Sequence, residues 1–111
     1  MSTPEQPEQP EQIQGPKFQL GRIVATRGVS DQMDSDPDFA AFVSASFSRH
    51  AFGDWGNVCE EDQALNEMAL KNNTRLLSSY KLRNPDDIID FIWIITEADR
   101  SVTTVLFPHE Y

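Results

Sequence analysis

Residues 88–96 read Ile-Ile-Asp-Phe-Ile-Trp-Ile-Ile-Thr, and both parities of the stretch are apolar: Ile88, Ile92 and Ile94 on one, Ile89, Phe91, Trp93 and Ile95 on the other. A strand with one wet face alternates, whereas a strand apolar on both faces belongs in the centre of a sheet. The rest of the chain must therefore supply flanking strands and a covering layer. Upstream, Leu76, Ser78, Tyr80 and Leu82 share one parity of a strand, and Asn84-Pro85-Asp86-Asp87 is a strong turn signal. Downstream, Glu97-Ala98-Asp99-Arg100 makes a tight connection to a last strand over 101–107, which Pro108 terminates. The spacing predicts a three-stranded antiparallel meander. Residues 18–26, with the β-branched pair Ile23-Val24, predict a further strand that Gly28 ends.

The covering layer is helical. Asp36 followed by Pro37 supplies an N-cap and a first-turn proline, and Phe39, Phe42, Val43 and Phe47 recur at helical spacing in a helix ending near His50. Asn57 with Glu60 three residues later fits a capping box for a second helix. Leu65, Met68 and Ala69 are its expected buried stripe, and Asn72-Asn73 its left-handed stop. The fold class expected is α+β: an antiparallel sheet of three to four strands with two short helices packed on one face.

At 111 residues the chain has room for one domain. Residues 4–12 repeat the triplet Pro-Glu-Gln three times without an apolar side chain, so residues 1–16 read as a disordered tail and residues 17–111 as the single domain. Nine Lys and Arg stand against eighteen Asp and Glu, a net charge of −9. That balance disfavours direct binding to a nucleic-acid backbone or to an anionic membrane. The longest uninterrupted apolar run, 91–95, is too short to span a bilayer, and the N-terminus lacks the pattern of a signal peptide. Cys59, the single cysteine, cannot make an internal disulfide, which agrees with a cytoplasmic location.

Two places carry candidate chemistry. Arg49-His50-Ala51-Phe52-Gly53-Asp54-Trp55-Gly56 lies at the junction of the helices. There His50 would act as a general acid or base, Asp54 as its orienting carboxylate or a partner contact beside Arg49, and Trp55 as a stacking wall. The structural reading of the same residues makes His50 a helix-end cap, Asp54 an Asx turn and Trp55 a plug between helix and sheet. The second place is the sheet, where Ser78, Ser79, Tyr80, Thr96, Arg100, Ser101, Thr103 and Thr104 array hydroxyls and a guanidinium. Such groups would bind a phosphate, with Arg75 or Arg100 as clamp, or simply decorate an exposed strand face. Glu60-Glu61-Asp62 decorates a helix first turn, and Asp31, Asp34, Asp36 and Asp38 lack the glycine and bidentate glutamate of a calcium loop. No phosphate-cradling glycine loop, zinc-ligand pair or nucleophile elbow is present, so no cofactor and no metal are expected.

Several blocks together resemble a family of small plasmid-related proteins, with no assigned activity, carried by bacterial plasmids and integrative elements. They are Gly21-Arg22-Ile23-Val24-Ala25-Thr26, His50 with Gly53-Asp54-Trp55-Gly56, Leu76-Leu77-Ser78-Ser79-Tyr80, and residues 92–101 continuing through Val105-Leu106 to Pro108 and Glu110-Tyr111. The resemblance implies a mobile-element setting. Two functions fit. The first is a small acidic accessory protein that binds a protein partner as a regulator or inhibitor of a host or defence complex; carboxylates also compete for basic grooves that hold phosphates. The second is a compact, metal-independent ribonuclease-like or toxin-like enzyme with His50 as acid or base, Arg75 or Arg100 as phosphate clamp, and Tyr80 or Thr104 as positioning group. An exposed edge on a small sheet also allows a homodimer.

Overall fold

The computed structural model describes residues 15–83 and 89–111. Their order is β1 (Arg22–Ala25), α1 (Arg27–Ser35), α2 (Pro37–Ala51), α3 (Glu60–Asn72), β2 (Leu76–Arg83), β3 (Ile89–Thr96), β4 (Val102–Leu106) and a final 3-10 turn (Pro108–Glu110). The four strands form one sheet in the order β1-β4-β3-β2. β3 is interior, as its two apolar parities require, with Tyr80 opposite Ile92 on one side and Val105 opposite Ile94 on the other. Residues 1–14 of the expected leader and the turn over 84–87 lie outside the described residues.

The fold is α+β, with two differences from the sequence expectation. The sheet is mixed rather than purely antiparallel: β2, β3 and β4 form the antiparallel meander, but β1 lies parallel to β4, Ile23 beside Thr103 and Ala25 beside Val105. Three helices separate β1 from the meander, so no hairpin dictates its direction. The other difference is α1, which begins where Gly28 was expected only to end a strand. Its N-terminus is closed from the far end of the chain. Glu110 accepts the Thr26 hydroxyl at 2.6 Å, the Gly28 N–H at 3.0 Å and the Phe107 N–H at 2.9 Å. A carboxylate on the first-turn N–H groups is favourable because they are unpaired donors at the positive end of the helix dipole.

α2 forms as its sequence dictates. Asp36 accepts the Phe39 N–H at 3.1 Å, Pro37 opens the first turn, and Phe39, Val43, Ser46 and His50 make the buried stripe. With Val29 of α1 this stripe packs on Tyr80, Ile92, Ile94 and Val105. A smaller cluster joins Trp55, Ala69 and Leu76. On the opposite sheet face Tyr111 meets Trp93 edge-on at 5.6 Å, and Ile95 and Leu106 are buried beside that contact.

α3 differs from expectation in both start and rotation. Its N-cap is Cys59, while Asn57 is used elsewhere; Asn73 ends the helix in the left-handed region, as expected, with φ 54°. The buried residues are Asn66 and Ala69, whereas Leu65 is 65% exposed and Met68 57%. The cause is a polar contact with the sheet edge. Asn66 donates to the Leu77 carbonyl at 2.7 Å and accepts the Leu77 N–H at 3.1 Å, replacing the strand that β2 lacks on that side. The next outward positions are closed in turn: Ser79 N–H donates to the Trp55 carbonyl, Asn57 N–H to the Ser79 carbonyl, and Lys81 N–H to Asn57 Oδ1. From Leu77 to the N–H of Lys81 this edge is closed to another strand. Gly56 makes the close approach possible: its φ is 74°, and a Cβ there would collide with the Ser79 carbonyl and the Tyr80 ring. Among the described residues no helix is long and apolar enough to cross a membrane.

Replacing Asn66 with Ala strands both backbone groups of Leu77, which are part-buried. Urea unfolding is expected to show a loss of about 1–3 kcal/mol, the cost of unsatisfied buried groups; a loss under about 0.5 kcal/mol would mean that Asn66 does not set the helix rotation.

Candidate functional site

His50 lies in the last turn of α2 on the stripe of Phe39, Val43 and Ser46, so the spacing that aims those residues at the sheet aims the imidazole there too. It is completely buried. Its Nδ1 is 2.6 Å from Ser78 Oγ on β2, and its Nε2 is 2.9 Å from Thr96 Oγ1 on β3. Thr96 Oγ1 is 2.7 Å from Thr103 Oγ1 on β4, and Thr103 donates to the Leu20 carbonyl at 2.6 Å.

Donor counting fixes the protons along this chain. A carbonyl only accepts, so the one hydroxyl hydrogen of Thr103 goes to Leu20. Thr96 must then supply the hydrogen of its contact with Thr103 and can only accept from the ring. The ring nitrogen facing Thr96 therefore carries the proton, His50 is the Nε2–H tautomer, and Ser78 donates to bare Nδ1. Burial, reinforced by the positive charge of Arg100, lowers the His50 pKa from 6.5 to about 4, so the ring is neutral at pH 7.

The aromatic walls are Phe18, edge-on to His50 at 5.1 Å, and Trp55, edge-on at 5.8 Å. Trp55 is itself buried and its indole N–H donates to Glu67 at 2.9 Å. Arg100 stands with its guanidinium 5.7 Å from the Phe18 ring centre and is held by four carbonyls, Nη1 by those of Thr74, Glu97 and Ala98 and Nη2 by that of Ala69. It ties the end of α3 to the β3–β4 connection.

Arg49, Asp54 and Tyr80 form a neighbouring group. Arg49 grips Asp54 through two bonds, at 2.7 and 3.2 Å, and lies 4.7 Å over the Tyr80 ring. Asp54 also accepts the Gly56 N–H, and Arg49 followed by that bond holds its carboxyl below the usual range. Tyr80 donates to the Asp54 carbonyl at 2.6 Å, and burial pushes its phenol up. Arg49 and Asp54 are about half exposed, so their pair is screened by solvent. Thr104 stands apart: it alternates with Thr103 along β4 and so faces the other side of the sheet.

His50, Tyr80, Arg100 and Thr104 thus do not meet in one cleft. What does meet at His50 is Ser78, Thr96 and Thr103, which the sequence presents only as hydroxyls on a strand face. A serine bonded to a histidine has the bond pattern of an activated nucleophile. Here both are fully buried and both ring nitrogens are engaged, leaving no approach for a substrate. Among the described residues no three His, Cys, Asp or Glu side chains come together to hold a metal ion.

One open feature is the outer face of α3; other depressions, of about 580 Å³ at Phe18 and Leu20 and about 450 Å³ at Phe91 and Phe107, lie elsewhere. Leu65 separates two depressions, one of about 530 Å³ lined by Glu61, Asp62, Ala64, Leu65 and Met68, the other of about 230 Å³ lined by Asp62, Leu65, Asn66, Arg75 and Leu77. Glu60, Glu61 and Asp62 have no salt-bridge partner among the described residues. Sequence periodicity had turned this face inward, and no local signal marked Asn66 as a buried residue. No protein family, curated protein or solved structure matches the chain.

The lowered His50 pKa makes stability depend on pH. Between 6.5 and 4 the unfolded histidine binds a proton that the folded one refuses, so stability is full above about pH 7 and falls as pH drops through that window. At about 1.4 kcal/mol per tenfold change the loss is about 3 kcal/mol. Asp54 and Glu110, whose pKa values are lowered by their hydrogen bonds, lose their contributions only at more acid pH. Urea unfolding measured from pH 8 to pH 4 checks this, and a flat profile between 6.5 and 4 would contradict a buried neutral ring.

Proposed function

We propose that this chain is a small acidic interaction protein that works by binding a protein partner, in the accessory role that its resemblance to mobile-element proteins implies. One observation carries the reading: Leu65 and Met68 stand exposed on α3 beside carboxylates without salt-bridge partners, while the polar chemistry around His50 is directed inward. A helix that hides an asparagine and shows a leucine and a methionine has its apolar side available to another molecule. Against the ribonuclease-like alternative stand the separation of His50, Tyr80, Arg100 and Thr104 and the backbone carbonyls that hold Arg100.

The test compares intact protein with a Leu65→Ser, Met68→Ser double variant and a His50→Gln variant in lysates of the native host, following both bound protein and RNA integrity. The interaction reading expects a partner retained by intact protein and lost from the α3 variant, with RNA intact throughout. RNA cleavage by the intact protein that a folded His50→Gln variant lacks would overturn it.

A further inference from the structure

Three physical features of the α3 face narrow what it accepts. The first is shape. Leu65 and Met68 are three residues apart and form a ridge with Ala64 at its side and a depression on each flank. Ridges of this spacing pack into the grooves between the i and i+3 or i+4 side chains of another helix. The second is the backbone next to it. A partner strand would need free N–H and C=O groups along β2, and Asn66, Trp55 and Asn57 have taken those at Leu77 and Ser79 and the N–H of Lys81. Recognition here must come through side chains. The third is charge: Glu60, Glu61 and Asp62 border one end of the ridge, against a single Lys71 in the last turn, in a chain of net charge −9.

We infer that the ridge of α3 seats an amphipathic helix of the partner, with apolar residues at i, i+3, i+4 and i+7 and with lysine or arginine on its flanks. This rests on the interaction reading above and specifies its partner. The apolar stripe covers Leu65 and Met68, and the basic flank neutralises carboxylates for which the described residues provide no cation. A second copy of this chain fits less well. Packing α3 antiparallel on itself sets one Lys71 against three carboxylates at each end and brings together two bodies of net charge −9.

The experiment titrates the full chain with three synthetic peptides that share one length: an amphipathic helix with basic flanks, the same apolar stripe with acidic flanks, and a scrambled basic sequence. Binding is read by fluorescence anisotropy and mapped by amide chemical shifts. The basic amphipathic peptide is expected to bind about tenfold or more tightly than either control. Its binding weakens with added salt, and its shift changes centre on α3 and Leu77. Leu65→Ser, Met68→Ser abolishes it, and Glu61→Gln, Asp62→Asn removes most of the preference over the acidic peptide; both variants stay folded, with melting temperatures lowered by the small helix-propensity and first-turn charge contributions they give up. Equal binding of all three peptides, or shifts away from α3, overturns the inference. So does sedimentation showing a dimer that Leu65→Ser dissolves, since a second copy then occupies the ridge. If the peptides fail while lysate capture still depends on Leu65 and Met68, the basic-helix inference falls and the interaction reading stands; if capture also fails, both fall.

Discussion

One neutral imidazole connects most of this fold. The chain of hydrogen bonds from Ser78 through His50, Thr96 and Thr103 to the Leu20 carbonyl ties α2 to β2, β3, β4 and the segment before β1, and every hydrogen in it points the same way. Such a chain is stabilising only when complete, because each buried polar atom left unpaired costs as much as several exposed contacts return. It therefore selects one arrangement: the helix end must sit where both ring nitrogens find hydroxyls, and the three strands must hold the register that lines those hydroxyls up. Phe18, Trp55 and the clamped Arg100 then close over it.

Directing these groups inward decides where the molecule is able to act. Of the residues a catalytic reading depends on, His50 has both ring nitrogens engaged by hydroxyls and Arg100 is bonded to four carbonyls. On α3 an asparagine is buried beside Ala69, while Leu65 and Met68 are left outside. Asn66 gains two bonds to Leu77, which a leucine at that position would forgo. The cost is the burial of Leu65 and Met68, about 1.5–3 kcal/mol for each if fully covered. Under the proposed interaction reading, that unrealised stabilisation is what a docking partner would recover.

Local signals made part of this legible in the sequence. Asp36-Pro37 and the stripe of Phe39 and Val43 marked α2, the two apolar parities placed β3 inside the sheet, and Asn73 marked the end of α3. What sequence reading missed depends on distant partners. α1 has no cap of its own because Glu110 supplies it from 84 residues away. The direction of β1 is set by how the chain returns, which no residue within it encodes. His50 and its three hydroxyl partners were each visible as candidates, but only lateral register between strands joins them. The rotation of α3 was misread because apolar periodicity outweighed the single amide that fixes it.

Nitrogen-resolved NMR of the imidazole at pH 7 tests the central feature most directly. The expected result is a neutral Nε2–H ring whose proton shows proximity to a slowly exchanging Thr96 hydroxyl, with the Thr103 and Ser78 hydroxyl protons protected as well. A ring protonated on Nδ1 would contradict that donor order, and one that titrates near 6.5 beside rapidly exchanging hydroxyls would contradict burial and make His50 accessible for chemistry.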